Sequence, residues 1–120
     1  EIAEPAPRAM TALTAMYEYY DRGQEMLENV LRDSPQVPAL AEILQQKWMP
    51  LMEGIVGIIA GTDSASDIGL RASAQVALDF FTWRKLTASG LSNHEAARLA
   101  ATWVEAGRRH SALGQSLRHR

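Results

Sequence analysis

The stretch from Val37 to Ala60 constrains the fold more than any other part of the chain. Its apolar positions Val37, Leu40, Ala41, Leu44, Trp48, Leu51, Met52, Ile55, Val56 and Ile59 recur at three- and four-residue intervals. That is the period of an α-helix with one buried side, not the alternation of a strand. A helix of this length needs apolar cover along its whole stripe, so the remaining residues must supply it from other helices. Pro50 lies inside the stretch, lacks a backbone donor and predicts a kink near Gln46 or Lys47.

The same period recurs elsewhere. Pro7–Arg22 places Met10, Leu13, Tyr17 and Tyr20 on one side, with Ala9, Ala12, Met16 and Tyr19 widening the stripe, and Gly23 ends it. A short second helix follows from Gln24 to Asp33 through Leu27, Val30 and Leu31, and Ser34-Pro35 closes it because the residue before proline is pushed out of helical geometry. Residues 61–67 are rich in turn formers and predict a mobile loop, with Ser64, Ser66 or Asp67 capping a fourth helix that runs to Ser89. Gly90 stops that helix. Ser92 and Glu95 have the spacing of a capping box, which starts a fifth helix. No segment alternates with strand period, and no internal repeat is present, so the predicted fold is an all-α bundle of five helices.

Composition narrows the function classes. The 120 residues suit one compact domain, 1–107, followed by a basic, solvated tail at 108–120. All 14 acidic residues lie in 1–105 beside eight of the 12 Lys and Arg, so the body is acidic. It has no basic stripe and is a poor DNA binder by itself. Without cysteine there is no disulfide, thiolate metal site or cysteine nucleophile, which fits a cytoplasmic protein. The most apolar run, 48–60, is interrupted by Pro50, Glu53, Gly54 and Gly57 and is too short to span a bilayer. The chain begins at Glu1 with no leader-like segment and reads as a fragment.

The fourth and fifth helices are apolar on more than one side. On the fourth, Ile68, Ala72, Val76, Phe80 and Trp83 mark one face, and Leu70, Ala74, Ala77, Leu78 and Phe81 another; the fifth is broad through Ala96, Ala97, Leu99, Ala100, Ala101, Trp103 and Val104. Such helices need a second cover, and a second copy of the same pair would give a two-fold, four-helix interface. The expected dimer residues are Leu70, Ala74, Ala77, Leu78, Phe81, Ala96, Leu99, Ala100 and Trp103. A central helix in a monomeric bundle is the alternative.

Thioethers and amphipathic rings concentrate on the helices around the domain centre, and such surfaces adapt to varied apolar ligands. Met16, Tyr17, Tyr20, Leu27, Trp48, Met49, Met52, Phe80 and Trp83 are the candidate pocket walls for a small apolar or aromatic effector. Ordinary core packing is the competing reading for each. Catalysis and metal binding are not expected. No Glu-x-x-His pair occurs, His94, His110 and His119 sit in exposed contexts, and no nucleophile elbow or phosphate loop is present. Asp79, Arg84 and Lys85 read as a helix-surface charge group, with a pairing of Arg84 to an acid across the interface as the alternative. No cofactor is expected.

Four segments, Ala-Met-Tyr-Glu-Tyr-Tyr (15–20), Leu-Glu-Asn-Val-Leu-Arg-Asp (27–33), Ala-Leu-Asp-Phe-Phe-Thr-Trp-Arg-Lys-Leu (77–86) and Gly-Leu-Ser-Asn-His-Glu-Ala-Ala (90–97), carry a family likeness. The chain resembles the C-terminal domain of TetR-type transcriptional repressors over roughly Arg8–Gly107. That resemblance implies a ligand-sensing domain that dimerises through its last two long helices and alters operator binding by an N-terminal helix-turn-helix. No helix-turn-helix is present here, so DNA contact is assigned to none of these residues. The acidic body favours a neutral or cationic apolar effector over an anionic one. A free-standing helical interaction module without a ligand is the second reading, and a small helical enzyme the third.

Overall fold

The computed structural model describes residues 6–61 and 67–118, with side chains as far as residue 110. Every regular element among them is helical: α1 (Pro7–Arg22), α2 (Gln24–Asp33), α3 (Pro38–Ile43), α4 (Met49–Ala60), α5 (Ile68–Leu78), α6 (Phe80–Ala88) and α7 (Asn93–Arg118).

The chain punctuation produces these boundaries. Gly23 separates α1 from α2, and Ser34–Gln36 forms a 3-10 turn around Pro35. Gly61 and Gly90 end α4 and the α6 turn with φ of 100° and 113°, a region that favours a residue without Cβ. Asp67 caps α5 by accepting from Leu70 N at 2.9 Å; Ser64 and Ser66 and the mobility expected of their loop lie outside the described residues. The capping box at α7 is formed on both sides, Ser92 N donating to Glu95 Oε1 at 2.8 Å and Glu95 N to Ser92 Oγ at 3.1 Å.

Two elements differ from the five-helix expectation. Between α3 and α4, residues Leu44–Trp48 form a π turn in which Met49 N reaches back to Leu44 O. Pro50 has no N–H to return to the preceding turn, and the wider spacing accommodates that loss. The helix expected from Asp67 to Ser89 is two helices, α5 and α6, broken at Asp79, where the backbone is extended at φ −62° and ψ 134°. At the other end of the chain, α7 runs through the boundary expected at residue 107 and continues to Arg118.

The helices pack antiparallel around one core. Asp21 at the end of α1 accepts from Asn93 Nδ2 at the start of α7 (3.0 Å), so α1 and α7 run in opposite senses. α5 also lies antiparallel on α7, with Gly69 and Ser73 against Gly107. A Cβ at Gly107 would stand 2.5 Å from Ser73 Oγ, so this close approach requires glycine. α7 turns Ala96, Ala97, Ala100, Ala101 and Val104 inward, and these small residues let α1 and α5 come near. α4 closes the remaining side. Arg8 Nε donates to Ile58 O at 3.1 Å, and Arg71 Nη2 pairs with Glu53 Oε2 at 2.7 Å. No helix among the described residues is long and apolar enough to cross a membrane.

Candidate ligand cleft

The break at Asp79 organises the centre of the molecule. A continuous helix would have sent the N–H groups of Phe81 and Thr82 back to the carbonyls of Ala77 and Leu78. Here Asp79 Oδ2 takes both N–H groups, at 3.1 and 3.2 Å, as the N-cap of α6. The two released carbonyls are met from α1. Tyr17 Oη donates to Ala77 O and Tyr20 Oη to Leu78 O, each at 2.5 Å. The two carbonyls and two N–H groups parted at Ala77, Leu78, Phe81 and Thr82 thus each have a new partner, as buried backbone groups require. Both phenols are buried, which raises their pKa above the ordinary 10.0; nearby Asp79 adds to the rise at Tyr17, and Tyr17, Asp79 and Tyr19 add to it at Tyr20.

Tyr20 is also the hub of the aromatic core. Its ring lies edge-on to Phe80 at 5.4 Å, and 6.0 Å from Trp83, 6.1 Å from Tyr17 and 6.4 Å from Trp48. Trp83 Nε1 donates to Asn93 Oδ1 at 2.9 Å, which ties α6 to the start of α7.

Beside the break is a cleft of about 450 Å³. One wall comes from α2, the π turn and α4: Leu31, Trp48, Met49, Met52, Glu53 and Val56. The other comes from the break itself: Gln75, Leu78, Asp79, Phe80 and Phe81. The volume lies in the range of small-molecule sites, and the lining is apolar with a few polar groups, the usual composition of such sites. Leu78 and Phe80 are both cleft wall and buried core, so an occupant would touch the same turn that Tyr17 and Tyr20 hold.

Of the candidate pocket residues, Trp48, Met49, Met52 and Phe80 line this cleft. Tyr17, Tyr20, Leu27 and Trp83 do not; they are buried core, and Met16 packs partly buried against them. These four carry the stripes that α1, α2 and α6 turn inward, and the core consumes them before a cavity can. The sequence reading missed Glu53, Gln75 and Asp79, the polar part of the lining. Asp79 is a residue type that caps helices, but the apolar period around it reads straight through, so nothing local marks it as a helix start.

The expected dimer residues divide in the same way. Leu70, Ala74, Ala77, Leu78, Ala96 and Ala100 are enclosed by their own chain, at most 2% exposed, and are unavailable to a partner. Leu99 and Phe81 are exposed and Trp103 half-buried. What α5 leaves outside is its other face, Ile68 at 83% and Val76 at 55% exposure, with Ala72 between them. The break explains the exchange. Extending one helical period across Asp79 groups Phe80 and Trp83 with Ile68 and Val76, whereas the extended residue resets the phase and turns Phe80 and Trp83 inward beside Leu78. Arg84 finds its acid within the chain, in an ion pair with Glu28 of α2.

Among the described residues no three His, Cys, Asp or Glu side chains are grouped to hold a metal ion. His94 and His110 are exposed, and His119 lies outside the described residues. Comparison of the chain with known protein families, with curated proteins and with solved structures finds no match.

Proposed function

We propose that this chain is the effector-sensing and dimer-forming domain of a TetR-type transcriptional repressor, with operator DNA read by an N-terminal helix-turn-helix outside these residues. The observation that carries the reading is the joint between cleft and α1: the wall formed by Leu78–Phe81 is hydrogen-bonded through Ala77 O and Leu78 O to Tyr17 and Tyr20. An effector that moves this wall moves α1, the helix that would adjoin the reading head. Two heads in a dimer must match half-sites about 34 Å apart on the duplex, so a shift of a few ångströms releases the operator. Allosteric coupling needs two sites and a connecting element with two arrangements, and the Asp79 break is the element suited to that role.

In this reading the dimer forms through the outward faces of α5 and α7, with Ile68, Ala72 and Val76 beside Leu99 and Trp103. α5 and α7 lie side by side along these positions, as Trp103 sits against Ala72, Ser73 and Val76. Exposed apolar residues on two adjacent helices suit a four-helix, two-fold interface.

The test is the native gene immediately upstream of the codon for Glu1. An in-frame segment encoding three short helices with a basic recognition helix supports the reading. It then predicts that the joined protein binds a palindromic operator in a gel-shift assay and loses it when an effector is added. A start codon directly before Glu1 overturns the reading in favour of a free-standing helical interaction module.

A further inference from the structure

Resting on the reading that the cleft takes a small effector, we infer that its ligand is an organic cation with aromatic substituents, held with its charge beside Asp79. The cleft lining contains two carboxylates, Glu53 and Asp79, and no Lys, Arg or His. Glu53 is partly offset by Arg71, which pairs with it from α5. Asp79 is not offset: its Oδ2 accepts two neutral backbone N–H groups, and no cationic side chain among the described residues pairs with it. An anion placed here would face both carboxylates. Asp79 is exposed to solvent, so a neutral ligand beside it would displace water from the carboxylate and offer no charge in return.

The apolar lining favours the same class. Trp48 and Phe81 contribute aromatic rings to the lining, whose negative quadrupole attracts a delocalised cation, and Met49 and Met52 add polarisable sulfur. One feature opposes the assignment, the positive end of α6, which begins at Phe80. Its effect is reduced because Asp79 itself occupies that end, and the second carboxylate at Glu53 leaves the lining negative. A compact hydrated cation such as sodium would gain nothing from the rings, which is why the inference is for an aryl-bearing cation.

The experiment uses three aryl probes: methyltriphenylphosphonium, the neutral triphenylphosphine oxide of closely similar shape, and the anion tetraphenylborate. Each is titrated into the 15N-labelled chain and followed by amide shifts of residues 78–81, which locate binding at the cleft. The expected result is that the phosphonium binds about tenfold or more tighter than the oxide, with the borate weakest. Asp79→Asn keeps a side chain that caps a helix equally well. It should therefore reduce phosphonium affinity at least about fivefold and lower the ratio of phosphonium to oxide affinity. Glu53→Gln, at a residue that caps nothing, is a second variant, and a smaller loss is expected because Arg71 already offsets that charge. Equal binding of phosphonium and oxide, tightest binding of the borate, or an Asp79→Asn chain that binds the phosphonium normally overturns the cation assignment and leaves the cleft standing as a ligand site. If none of the three shifts residues 78–81, both the cation assignment and the effector-cleft reading fail.

Discussion

Tyr17 and Tyr20 perform two tasks with one side chain each: the ring fills the core and the hydroxyl satisfies a carbonyl that the helix break has released. Removing only the hydroxyl separates them. Tyr17→Phe keeps the ring and leaves Ala77 O buried without a partner, which should cost about 1–3 kcal/mol of stability in urea unfolding. A loss below about 0.5 kcal/mol would mean that water replaces the hydroxyl or that the break relaxes. The same bond predicts a pH dependence. Both phenols have folded-state pKa values raised above the ordinary 10.0, so the folded state favours the protonated form. Their contribution is fully present below pH 10.0 and is lost as pH rises from there towards the folded-state values. Thermal unfolding measured across the alkaline range should show a decline, and the Tyr17→Phe/Tyr20→Phe double variant should show a shallower one. Equal slopes in the two proteins would remove the tyrosines from the account.

The joint between α5 and α6 turns on one side chain, Asp79. Alanine there strips the cap from Phe81 N and Thr82 N and should cost about 1 kcal/mol, whereas asparagine, an equivalent cap, should change stability by only a few tenths. Chemical unfolding of the two variants decides it, and an equal loss in both would show that charge rather than capping holds the break. This joint also marks the limit of what the sequence reveals. The capping box at Ser92 and Glu95, the stop at Gly23 and the disturbance ahead of Pro50 are all legible, because each depends on residues a few positions apart. Fold class is legible for the same reason. The phase of α6 is not, because a single extended residue rotates everything after it, and Ala77-Leu78-Asp79-Phe80 carries neither glycine nor proline to announce the change. The carbonyls that the break releases are met by hydroxyls on α1, some sixty residues away, which no local pattern shows. The cleft suffers from the same ambiguity. Trp48, Met49, Met52 and Phe80 could be chosen by chemistry, but nothing local distinguishes them from Tyr17, Tyr20, Leu27 and Trp83, which the core absorbs.

On the scale of the whole molecule, the two apolar faces of α5 have different fates, and that difference makes the dimer proposal testable. The inner face, with Leu70, Ala74, Ala77 and Leu78, fits the alanine-rich side of α7, where small side chains allow the backbones to approach; the bulkier Ile68 and Val76 are left outside. A glutamate in place of Leu78 would bury a charge with no partner, so Leu78→Glu should unfold the chain and report nothing about association. Val76→Glu sits on the exposed strip next to Trp103 and should leave helicity and thermal unfolding of the monomer nearly unchanged. Leu99→Glu, exposed on α7, should behave likewise. In a two-fold interface each substitution places a carboxylate in apolar surroundings twice, once per protomer, and close to its own copy where the helices cross near the axis. Sedimentation equilibrium of the unsubstituted chain should therefore give a dimer, and of either variant a folded monomer. A parent chain that sediments as a monomer ends the proposal for this chain. Dimeric variants would instead direct attention to the other exposed apolar residues, Ile43, Leu51 and Ile58 on α3 and α4, as the face that a second copy covers.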